Sequence, residues 1–518
     1  MFHPSQKLQI RILLFSTFVI SICGLSYELL IGSLSTNLEG NPVLQYSLTI
    51  GFFMSALGLG SYLSRFLTDR LLFQFVVIEI VLAIVGGVSV ALLNLVYIKF
   101  NSVYTLINII MLVAIGVLVG LEIPIITRIL KQFGDLKETI SNVLTIDYIG
   151  GLFASLIFPL ILYPFVGLIK TAFIIGFLNL IIGMINLIIF ANDLKQHEKF
   201  PVWFASILCL VMLGSGVLFS SQLTGYYSRA IYGNVVYEGQ SRYQKIKIAR
   251  KMGDTKLYLD GHLQFSSVHE YRYHEALIFP PFYLRNNIKN VLIIGGGDGL
   301  GVRQLLKFKS VETIILVDLD PKMTELAKSF TVLNEVNQNA LKHPKVKVIN
   351  QDAYKYLGTT PIKFDVIYAD FPDPHDATLS KLYSMEFYHF VKKRLSDDGI
   401  FITQATSPLH AKRAFWCVGK TLKEVFQSVI PYSVHVPNMS EWGFFIATKY
   451  KLNVKEKITQ LSPSISGVNI QYLSSEVFLR SLTLSNDTLL SENEDVKVNR
   501  FTEPIIFHYY LEGWKHFN

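Results

Sequence analysis

The chain has 518 residues, of which 51% are hydrophobic and 17% are charged, and its mean hydropathy is +0.39. This composition is too apolar for an ordinary soluble enzyme, and the apolar excess lies before about residue 220, so we expect a membrane half followed by a soluble half. The formal net charge of +8 comes without a cluster of basic and aromatic residues. This argues against nucleic acid as a partner and favours positive loops beside membrane helices.

The three cysteines, Cys23, Cys209 and Cys417, lie far apart, and two of them fall in apolar stretches. Their spacing gives neither a metal site nor a disulfide framework, so we expect no bound metal and a reducing compartment. The first apolar run is too long for a signal peptide and has no small-residue cleavage site. We therefore expect it to remain in the mature chain.

The apolar half predicts seven membrane-spanning helices, because seven stretches meet the criterion of about 20 apolar residues. The last stretch is the shortest, and its lying on the membrane surface is an alternative to crossing. The predicted spans lie near residues 10–34, 46–66, 71–97, 104–127, 145–166, 169–191 and 203–219.

Four acidic residues lie inside or near these spans: Glu28, Glu79, Glu122 and Asp147. A carboxylate within a bilayer is costly and marks a functional site by default. The simpler interpretation is that these residues cap helix ends or form hydrogen bonds between helices. A role in handling a cationic ligand is the alternative.

After the last span, residues 221–232 have the composition of a linker, and residues 235–265 show short alternating runs separated by turns. Such runs predict a small antiparallel β-sheet. We therefore expect four regions. They are a helical membrane domain at 1–220, a linker with a small sheet at 221–285, an α/β domain at 286–450 and a C-terminal extension at 451–518.

The α/β domain alternates between strand and helix patterns, which predicts a doubly wound, mostly parallel sheet of the Rossmann-like, methyltransferase-like kind. Ligands of such sheets bind beyond the carboxyl ends of the strands. Strands are expected near residues 291–294, 313–317, 346–349, 364–369 and 399–403, and helices near 300–308, 321–330, 384–395 and 410–426.

A glycine-rich loop follows the first of these strands. The dinucleotide pattern G-x-G-x-x-G is not met, since position 300 is Leu and position 302 is Val. Gly295, Gly297 and Gly299 instead fit the spacing G-x-G-x-G of S-adenosyl nucleoside binders. Asp298 inside the loop would meet an anionic ligand badly and a cationic one well. We therefore expect a ligand that carries an amine.

Acidic residues also follow the later strands, at the edge of the sheet where ligands bind. Asp318 is placed for ribose hydroxyls, Asp352 for an adenine amino group, and the pair Asp370 and Asp373 projects into the crevice. Taken alone, Asp318 or Asp352 is explained as well by a turn or a helix cap. Together with Asp298, five acids at one sheet edge indicate a functional cleft.

These motifs together resemble those of the polyamine aminopropyltransferases, in particular the long, membrane-attached spermidine synthases. The resemblance covers nearly the whole chain. In the soluble half it rests on Tyr243–Gln244, Leu259–Gln264, Tyr273–Glu275, Gly295–Gly299, Val317–Pro321, Gln351–Ala353, Asp370–Pro374, Gln404–Pro408, Ala414–Cys417 and Glu441–Phe444. In the membrane half and the tail it rests on Tyr27–Leu30, Ser47–Gly51, Val498–Arg500 and Tyr509–Trp514.

The resemblance implies transfer of an aminopropyl group from decarboxylated S-adenosylmethionine, a co-substrate, to putrescine or a similar diamine, with no further cofactor. It implies that Asp370 accepts the proton of the attacking amine and that Tyr273 orients Asp370. The resemblance further implies two sets of contacts. The residues implied to contact the aminopropyl donor are Gln244, Gly295, Gly297, Asp298, Asp318 and Asp352. The residues implied to contact the amine substrate are Asp373, His274 and Asp298.

Two other functions are weighed against this one. A methyltransferase on the same sheet is disfavoured by Asp298, which would repel the carboxylate of intact S-adenosylmethionine, and by the acid pair around Phe371–Pro372. A polyamine transporter or sensor with a binding-only soluble half would not need the complete set of Asp370, Tyr273 and Asp298. Soluble members of the family associate as dimers or tetramers, so the resemblance implies a homodimer or tetramer as a possible assembly.

Orientation in the membrane is predicted from basic residues. They fall on one side of the predicted spans, which should be cytoplasmic: Lys7, Arg11, Arg65, Arg70, Arg128, Lys131, Lys137, Lys195 and Lys199. Seven spans would then place the soluble half outside, whereas its expected substrates are cytoplasmic. We give the substrates more weight, and expect a multi-pass protein of the cell membrane, in contact with the lipid bilayer, whose catalytic domain faces the cytoplasm.

Overall fold

The computed structural model describes residues 5–39, 42–190, 196–461, 467–491 and 495–514. The chain divides into two compact units, Met1–Val235 and Val236–Asn518. Lys195, one of the basic residues used to predict orientation, lies outside the described residues.

Within its described residues, the first unit contains seven helices that are long and apolar enough to cross a membrane. A π-helix at Phe158–Val166, which contains Pro159 and Pro164, extends the fifth helix. The seven helices are α1 (Gln6–Glu39), α2 (Pro42–Leu63), α3 (Leu71–Lys99), α4 (Tyr104–Leu130), α5 (Leu136–Ile157), α6 (Leu168–Ile189) and α7 (Gln196–Tyr232).

The end of α7 corrects the predicted boundary of the membrane half. Residues 221–232, expected as a linker, form the last turns of this 37-residue helix. A single glycine, Gly225, costs a helix only about 1 kcal/mol, and no proline interrupts this stretch. The boundary expected at residue 220 therefore falls inside α7, and the compact units divide at Val235 instead.

Two sheets follow α7. The first is the predicted small antiparallel sheet, with strands β1 (Asn234–Gln240), β2 (Lys245–Lys251), β3 (Asp254–Leu259) and β4 (His262–Ser266) in chain order. The second has seven strands: β5 (Asn290–Gly295), β6 (Thr313–Asp318), β7 (Val346–Asn350), β8 (Phe364–Asp370), β9 (Leu395–Gln404), β10 (Ser428–Val436) and β11 (Ser440–Thr448).

The order of the seven-stranded sheet is β10-β11-β9-β8-β5-β6-β7. Strands β5 to β9 pair in parallel, and β11 joins β9 antiparallel with β10 at the edge. Because β5 pairs with β6 on one side and with β8 on the other, the strand order reverses at β5. Ligands bind at such a reversal in parallel sheets.

The helices of this part cover both faces of the sheet, and their order agrees with the predicted alternation. They are α8 (Glu270–Ile278), α9 (Pro280–Leu284), α10 (Leu300–Leu305), α11 (Pro321–Ser329), α12 (Thr331–Asn337), α13 (Ala353–Thr359), α14 (Ala377–Ser380), α15 (Met385–Arg394), α16 (Lys412–Lys423), α17 (Val454–Leu461), α18 (Ser475–Ser481) and α19 (Ile506–Trp514). Strand β5 shows why the sheet is the core, because Val291, Leu292, Ile293 and Ile294 are all essentially unexposed.

The predicted C-terminal extension packs into the second unit. Glu275 on α8 is fully buried, and its carboxylate accepts hydrogen bonds of 2.9, 2.8 and 3.0 Å from the backbone N–H groups of Gln471, Tyr472 and Leu473. Further along, α19 lies against α16. The extension is therefore bound to the same helix that carries Tyr273.

Candidate active site

The site forms where β5 and β8 end side by side. Gly295 pairs with Asp370 across the two strands and has φ +81°. A Cβ atom on Gly295 would lie 2.1 Å from the Asp370 carbonyl oxygen, and the next residue, Gly296, donates its N–H to that oxygen at 3.1 Å. Glycine at these positions therefore lets the loop turn directly over Asp370.

Asp370 is the acid at the centre of this arrangement. Its Oδ1 atom accepts a hydrogen bond of 2.7 Å from the hydroxyl of Tyr273 on α8. Burial raises the pKa of Asp370 above its usual value, and the charge of His274 and the Tyr273 hydrogen bond oppose this rise. Burial and the charge of Asp370 raise the pKa of Tyr273 well above its usual value, so its hydroxyl stays protonated and donates.

Aromatic packing holds Tyr273 in place. Its ring lies 5.4 Å from Phe444 and 6.4 Å from Trp442, both on β11, and only 9% of the residue is exposed. With its ring fixed between α8 and β11, the hydroxyl has little freedom to leave Asp370.

His274, the neighbour of Tyr273, belongs to a buried chain of charges. Its Nδ1 atom lies 2.8 Å from Glu270 Oε2, and Glu270 Oε1 pairs with Arg303 at 2.6 Å. Burial alone lowers the pKa of His274, but the hydrogen bond and charge of Glu270 outweigh burial and raise it. The charges of Asp298 and Asp370 act in the same direction. Neither Glu270 nor Arg303 was predicted from the sequence.

Asp298 lies close to this group, as its electrostatic interactions with His274, Asp370 and Glu270 show. Its Oδ1 atom accepts the N–H of Leu300 at 2.8 Å and so begins α10. Burial raises the pKa of Asp298 to about 6. The structure therefore brings the glycine-loop acid and the strand-end acid Asp370 together, as expected from their positions.

Asp318, at the end of β6, faces the same glycine loop. A Cβ atom on Gly297 would lie 2.6 Å from Asp318 Oδ2, so the two residues are in direct contact. Burial raises the pKa of Asp318 to about 6, against opposing hydrogen bonds from the backbone of Asp320 and Gly297.

Gln244, expected near the donor, makes a contact that was not anticipated. Its Nε2 atom donates to Asp320 Oδ2 at 2.9 Å, and Asp320 Oδ1 caps α11 at Lys322 N, at 3.0 Å. The signal for Asp320 was present in the sequence, since an Asp directly before Pro321 is a typical N-cap. Gln244 therefore lies beside the N-terminus of α11, and its contact with the donor stays a prediction.

Asp352 has structural partners in the present arrangement. Its Oδ1 atom caps α13 at Lys355 N, at 3.2 Å, and its Oδ2 atom pairs with Lys381 at 3.3 Å. The helix-cap interpretation weighed from the sequence therefore holds for this residue. Its contact with adenine stays a prediction, because the half-exposed carboxylate has further acceptor capacity.

Asp373 is surrounded by hydrogen-bonding side chains from three places in the chain. Thr406 Oγ1 lies 3.2 Å from Oδ2, Gln404 Nε2 lies 3.4 Å from Oδ1, and the hydroxyl of Tyr510 on α19 also donates to the carboxylate. Burial raises the pKa of Asp373 to about 6 against these three hydrogen bonds. None of these three hydrogen-bond partners was predicted from the sequence to have a role.

Thr406 has an unusual backbone. Its φ of +62° is rare for a β-branched residue, and it is fully buried. The conformation is held by hydrogen bonds from the Gly443 N–H to the Thr406 carbonyl at 2.8 Å and from the Thr406 N–H to Gln404 Oε1 at 2.9 Å. Strain of this kind is typical of functional sites, and here it turns the Thr406 hydroxyl toward Asp373.

Four half-buried acids thus lie at or just beyond the carboxyl ends of β5, β6 and β8: Asp298, Asp318, Asp370 and Asp373. Burial raises the pKa of each. Within the described residues, no group of three or more His, Cys, Asp and Glu is arranged to hold a metal ion. The clustered carboxylates at this edge of the sheet favour a cationic ligand.

Comparison with known families gives one match. The family profile described as "Spermine/spermidine synthase domain" matches residues 270–458. This interval begins at the helix that carries Tyr273 and includes the glycine loop and both acids of the pair Asp370 and Asp373.

Relatives match over almost the whole chain. A polyamine aminopropyltransferase of Leptospira interrogans is 38% identical, and the match covers 96% of this chain and 98% of that relative. Polyamine aminopropyltransferase 2 of Ralstonia nicotianae is 37% identical, and the match covers 97% of this chain and 98% of that relative. The crystal structure of spermidine synthase from Thermotoga maritima is 28% identical, with a TM-score of 0.45, and covers 49% of this chain and 86% of that one.

Proposed function

Because this chain belongs to the polyamine aminopropyltransferases, we propose that it transfers the aminopropyl group of decarboxylated S-adenosylmethionine to putrescine or a similar diamine. The products are spermidine and methylthioadenosine. The observation that carries this proposal is the hydrogen bond between Tyr273 and Asp370 at the reversal point of the sheet, with Asp298 and Asp373 beside it.

The reaction is a direct displacement on an activated donor. The neutral amine of the diamine attacks the propyl carbon attached to the sulfonium, a C–N bond forms, and the C–S bond breaks with its electron pair going to sulfur. Before the attack, Asp370 accepts the proton that the protonated amine must lose to become neutral, and the attack itself leaves the product nitrogen as a secondary ammonium. A carboxylate whose pKa is raised by burial is a better base for this step than an exposed one.

We assign the selection of the decarboxylated donor over intact S-adenosylmethionine to Asp298. Its carboxylate would pair with the ammonium of the aminopropyl group and would repel the carboxylate of intact S-adenosylmethionine. His274, whose pKa is raised, faces Asp298 and moderates this charge. We assign Asp318, at the end of β6, to the ribose hydroxyls of the donor, and Gln244 to a further contact with the donor.

Binding of the acceptor is assigned to Asp373. A diamine in water carries two positive charges, and only the attacking amine has to become neutral. Asp373 lies three residues beyond Asp370, so it is placed to hold the distal ammonium while Asp370 receives the proton of the near one. Alignment of both ends orients the nucleophile for in-line attack.

We further propose that the seven apolar helices anchor the enzyme in the cell membrane with its catalytic unit facing the cytoplasm. A single added cysteine tests the orientation, since Cys23, Cys209 and Cys417 are buried and Met252 is 97% exposed. Met252→Cys should react with a membrane-impermeant maleimide only after lysis of the cells. Labelling of intact cells would place the catalytic unit outside, and the unmodified chain is the control.

One observation favours a second role, for the membrane unit. Glu79 on α3 and Glu122 on α4 are fully buried, and their carboxyl groups interact with each other. Apart from this mutual interaction, no donor among the described residues forms a hydrogen bond to either carboxyl, and the buried Tyr27 hydroxyl within electrostatic range of both has no hydrogen-bond partner. A polyamine cation would supply the missing donors.

This second role is tested by transport. Vesicles that contain the full chain are loaded with radiolabelled polyamine, and its flux is compared between the unmodified protein and Glu122→Gln. Loss of flux with aminopropyl transfer intact supports a site for polyamine in the membrane unit. Unchanged flux means that the acid pair serves helix packing.

The main proposal is tested on the full chain purified in detergent. Decarboxylated and intact S-adenosylmethionine are offered separately with putrescine, cadaverine, agmatine and spermidine, and the release of methylthioadenosine is quantified. We expect release only with the decarboxylated donor and with putrescine as the best acceptor. Binding of the donor without release for any acceptor would contradict the proposal and favour a sensor or transporter.

A further inference from the structure

The C-terminal helix α19 reaches the acceptor side of the site. Of the three side chains that donate to Asp373, Thr406 and Gln404 do so over 3.2 and 3.4 Å, which are long for strong hydrogen bonds. The third, the Tyr510 hydroxyl, also interacts with the carboxylate. Asp373 is therefore in contact with a residue far along the chain, outside the interval matched by the family profile.

Contacts that do not involve Tyr510 fix α19 in place. A Cβ atom on Gly513 would lie 2.5 Å from the His410 carbonyl oxygen, so the helix backbone lies directly on the segment that follows β9. Glu512 pairs with Arg413 on α16 at 2.7 Å, and Ile506 is fully buried. The position of the helix is thus set by its other residues.

The neighbouring tyrosine on the same helix faces elsewhere. Tyr509 accepts the N–H of Lys497 at 3.3 Å, and the guanidinium of Arg413 lies 4.2 Å from its ring centre. Tyr510 is the residue whose hydroxyl faces the site, and its ring lies 6.1 Å from Trp514 one turn further on. Two adjacent tyrosines therefore differ in role, which provides a matched control.

From these contacts we infer that α19 is the end wall of the acceptor pocket and that Tyr510 is a positioning residue, which orients Asp373 toward the distal ammonium of the diamine. This inference rests on the proposed function and deepens it. When the Tyr510 hydroxyl occupies one side of the Asp373 carboxylate, the remaining acceptor positions of the carboxylate stay free for the substrate ammonium. A wall behind Asp373 also limits how long the diamine can be.

The experiment compares Tyr510→Phe with Tyr509→Phe in the full-length protein, varying putrescine and the donor separately. For Tyr510→Phe we expect KM for putrescine to rise about tenfold, the effect of losing one hydrogen bond to a charged group, with KM for the donor unchanged. kcat should change much less than KM, because Asp370 and Tyr273 are untouched. Tyr509→Phe should match the unmodified protein in both constants.

A second variant tests the wall itself. Tyr510→Ala should increase activity with cadaverine or spermidine relative to putrescine, since removing the ring opens space behind Asp373. An unchanged KM for putrescine in Tyr510→Phe, with unchanged acceptor preference in Tyr510→Ala, would overturn the inference and leave the proposed function standing. Absence of methylthioadenosine release from the unmodified protein would instead refute the proposed function, and the inference with it. Donor binding serves as the check that each variant is folded.

Discussion

The hydroxyl of Tyr273 lies 2.7 Å from Asp370 Oδ1 and joins helix α8 to the carboxyl end of β8. Because this hydrogen bond opposes the rise in the pKa of Asp370, it also sets how strong a base the carboxylate is. The contact therefore combines orientation with tuning of basicity.

Replacing Tyr273 with Phe should lower kcat about 10- to 100-fold, as expected for loss of a hydrogen bond to a charged group. The aromatic packing against Phe444 remains, so the fold should be retained. Single-turnover release of methylthioadenosine measures the effect. Asp370→Asn should abolish release while the donor still binds, and a variant of Tyr273 as active as the unmodified enzyme would contradict the assigned role.

Asp298→Asn should weaken binding of the decarboxylated donor and reduce its advantage over intact S-adenosylmethionine. The asparagine side-chain oxygen can still accept the N–H of Leu300, so the start of α10 is preserved and only the charge is lost. Calorimetric titration with each donor gives the two affinities. If their ratio is unchanged, donor choice comes from another part of the site.

Gly297→Ala should weaken donor binding without unfolding the protein. The new methyl group would lie 2.6 Å from Asp318 Oδ2, and the backbone of Gly297 is not in the left-handed region, so the cost falls on the position of the acid. Gly301→Ala is the matched control, because its nearest neighbours would lie at 3.6 Å or more. Equal donor affinities for the two variants would show that Asp318 does not contact the donor.

Donor affinity should rise from about pH 5 to about pH 7 and then level off. Burial raises the pKa of Asp298 to about 6, so below that value the carboxyl is protonated and neutral, and it offers the ammonium no charge. Binding of the cation favours the ionised form and therefore releases protons at pH 6 and below. Titrations in buffers with different ionisation enthalpies count these protons, and Asp298→Asn should release fewer.

The parallel part of the sheet could be predicted because its signals are local. Apolar runs mark β5 to β9, and the acids that follow them reach one edge as a consequence of parallel pairing. Strands β10 and β11 were not predicted. Pro431 argues against a strand interior, and the structure accommodates it because β10 is an edge strand.

The grouping of Asp298, Asp318 and Asp370 at one edge of the sheet was predictable, whereas the partners of Asp373 were not. Asp298 and Asp370 follow directly from strand ends. Tyr510 is far from them in sequence, and its position depends on how α19 packs against α16, which no local pattern reveals. The contact of Gln244 with Asp320 likewise joins the small sheet to the larger one, and only the fold shows it.

The burial of Glu275 limits how far the chain can be shortened from its C-terminal end. A fragment limited to residues 270–458, the interval of the family match, would retain Glu275 on α8 but lose the three N–H groups of Gln471, Tyr472 and Leu473 that its carboxylate accepts. Each lost donor to a buried charge costs about 1 to 3 kcal/mol. In such a fragment α8 would be held less firmly, and Tyr273 would be displaced from Asp370. A shortened chain for crystallisation or display should therefore keep at least residues 471–473.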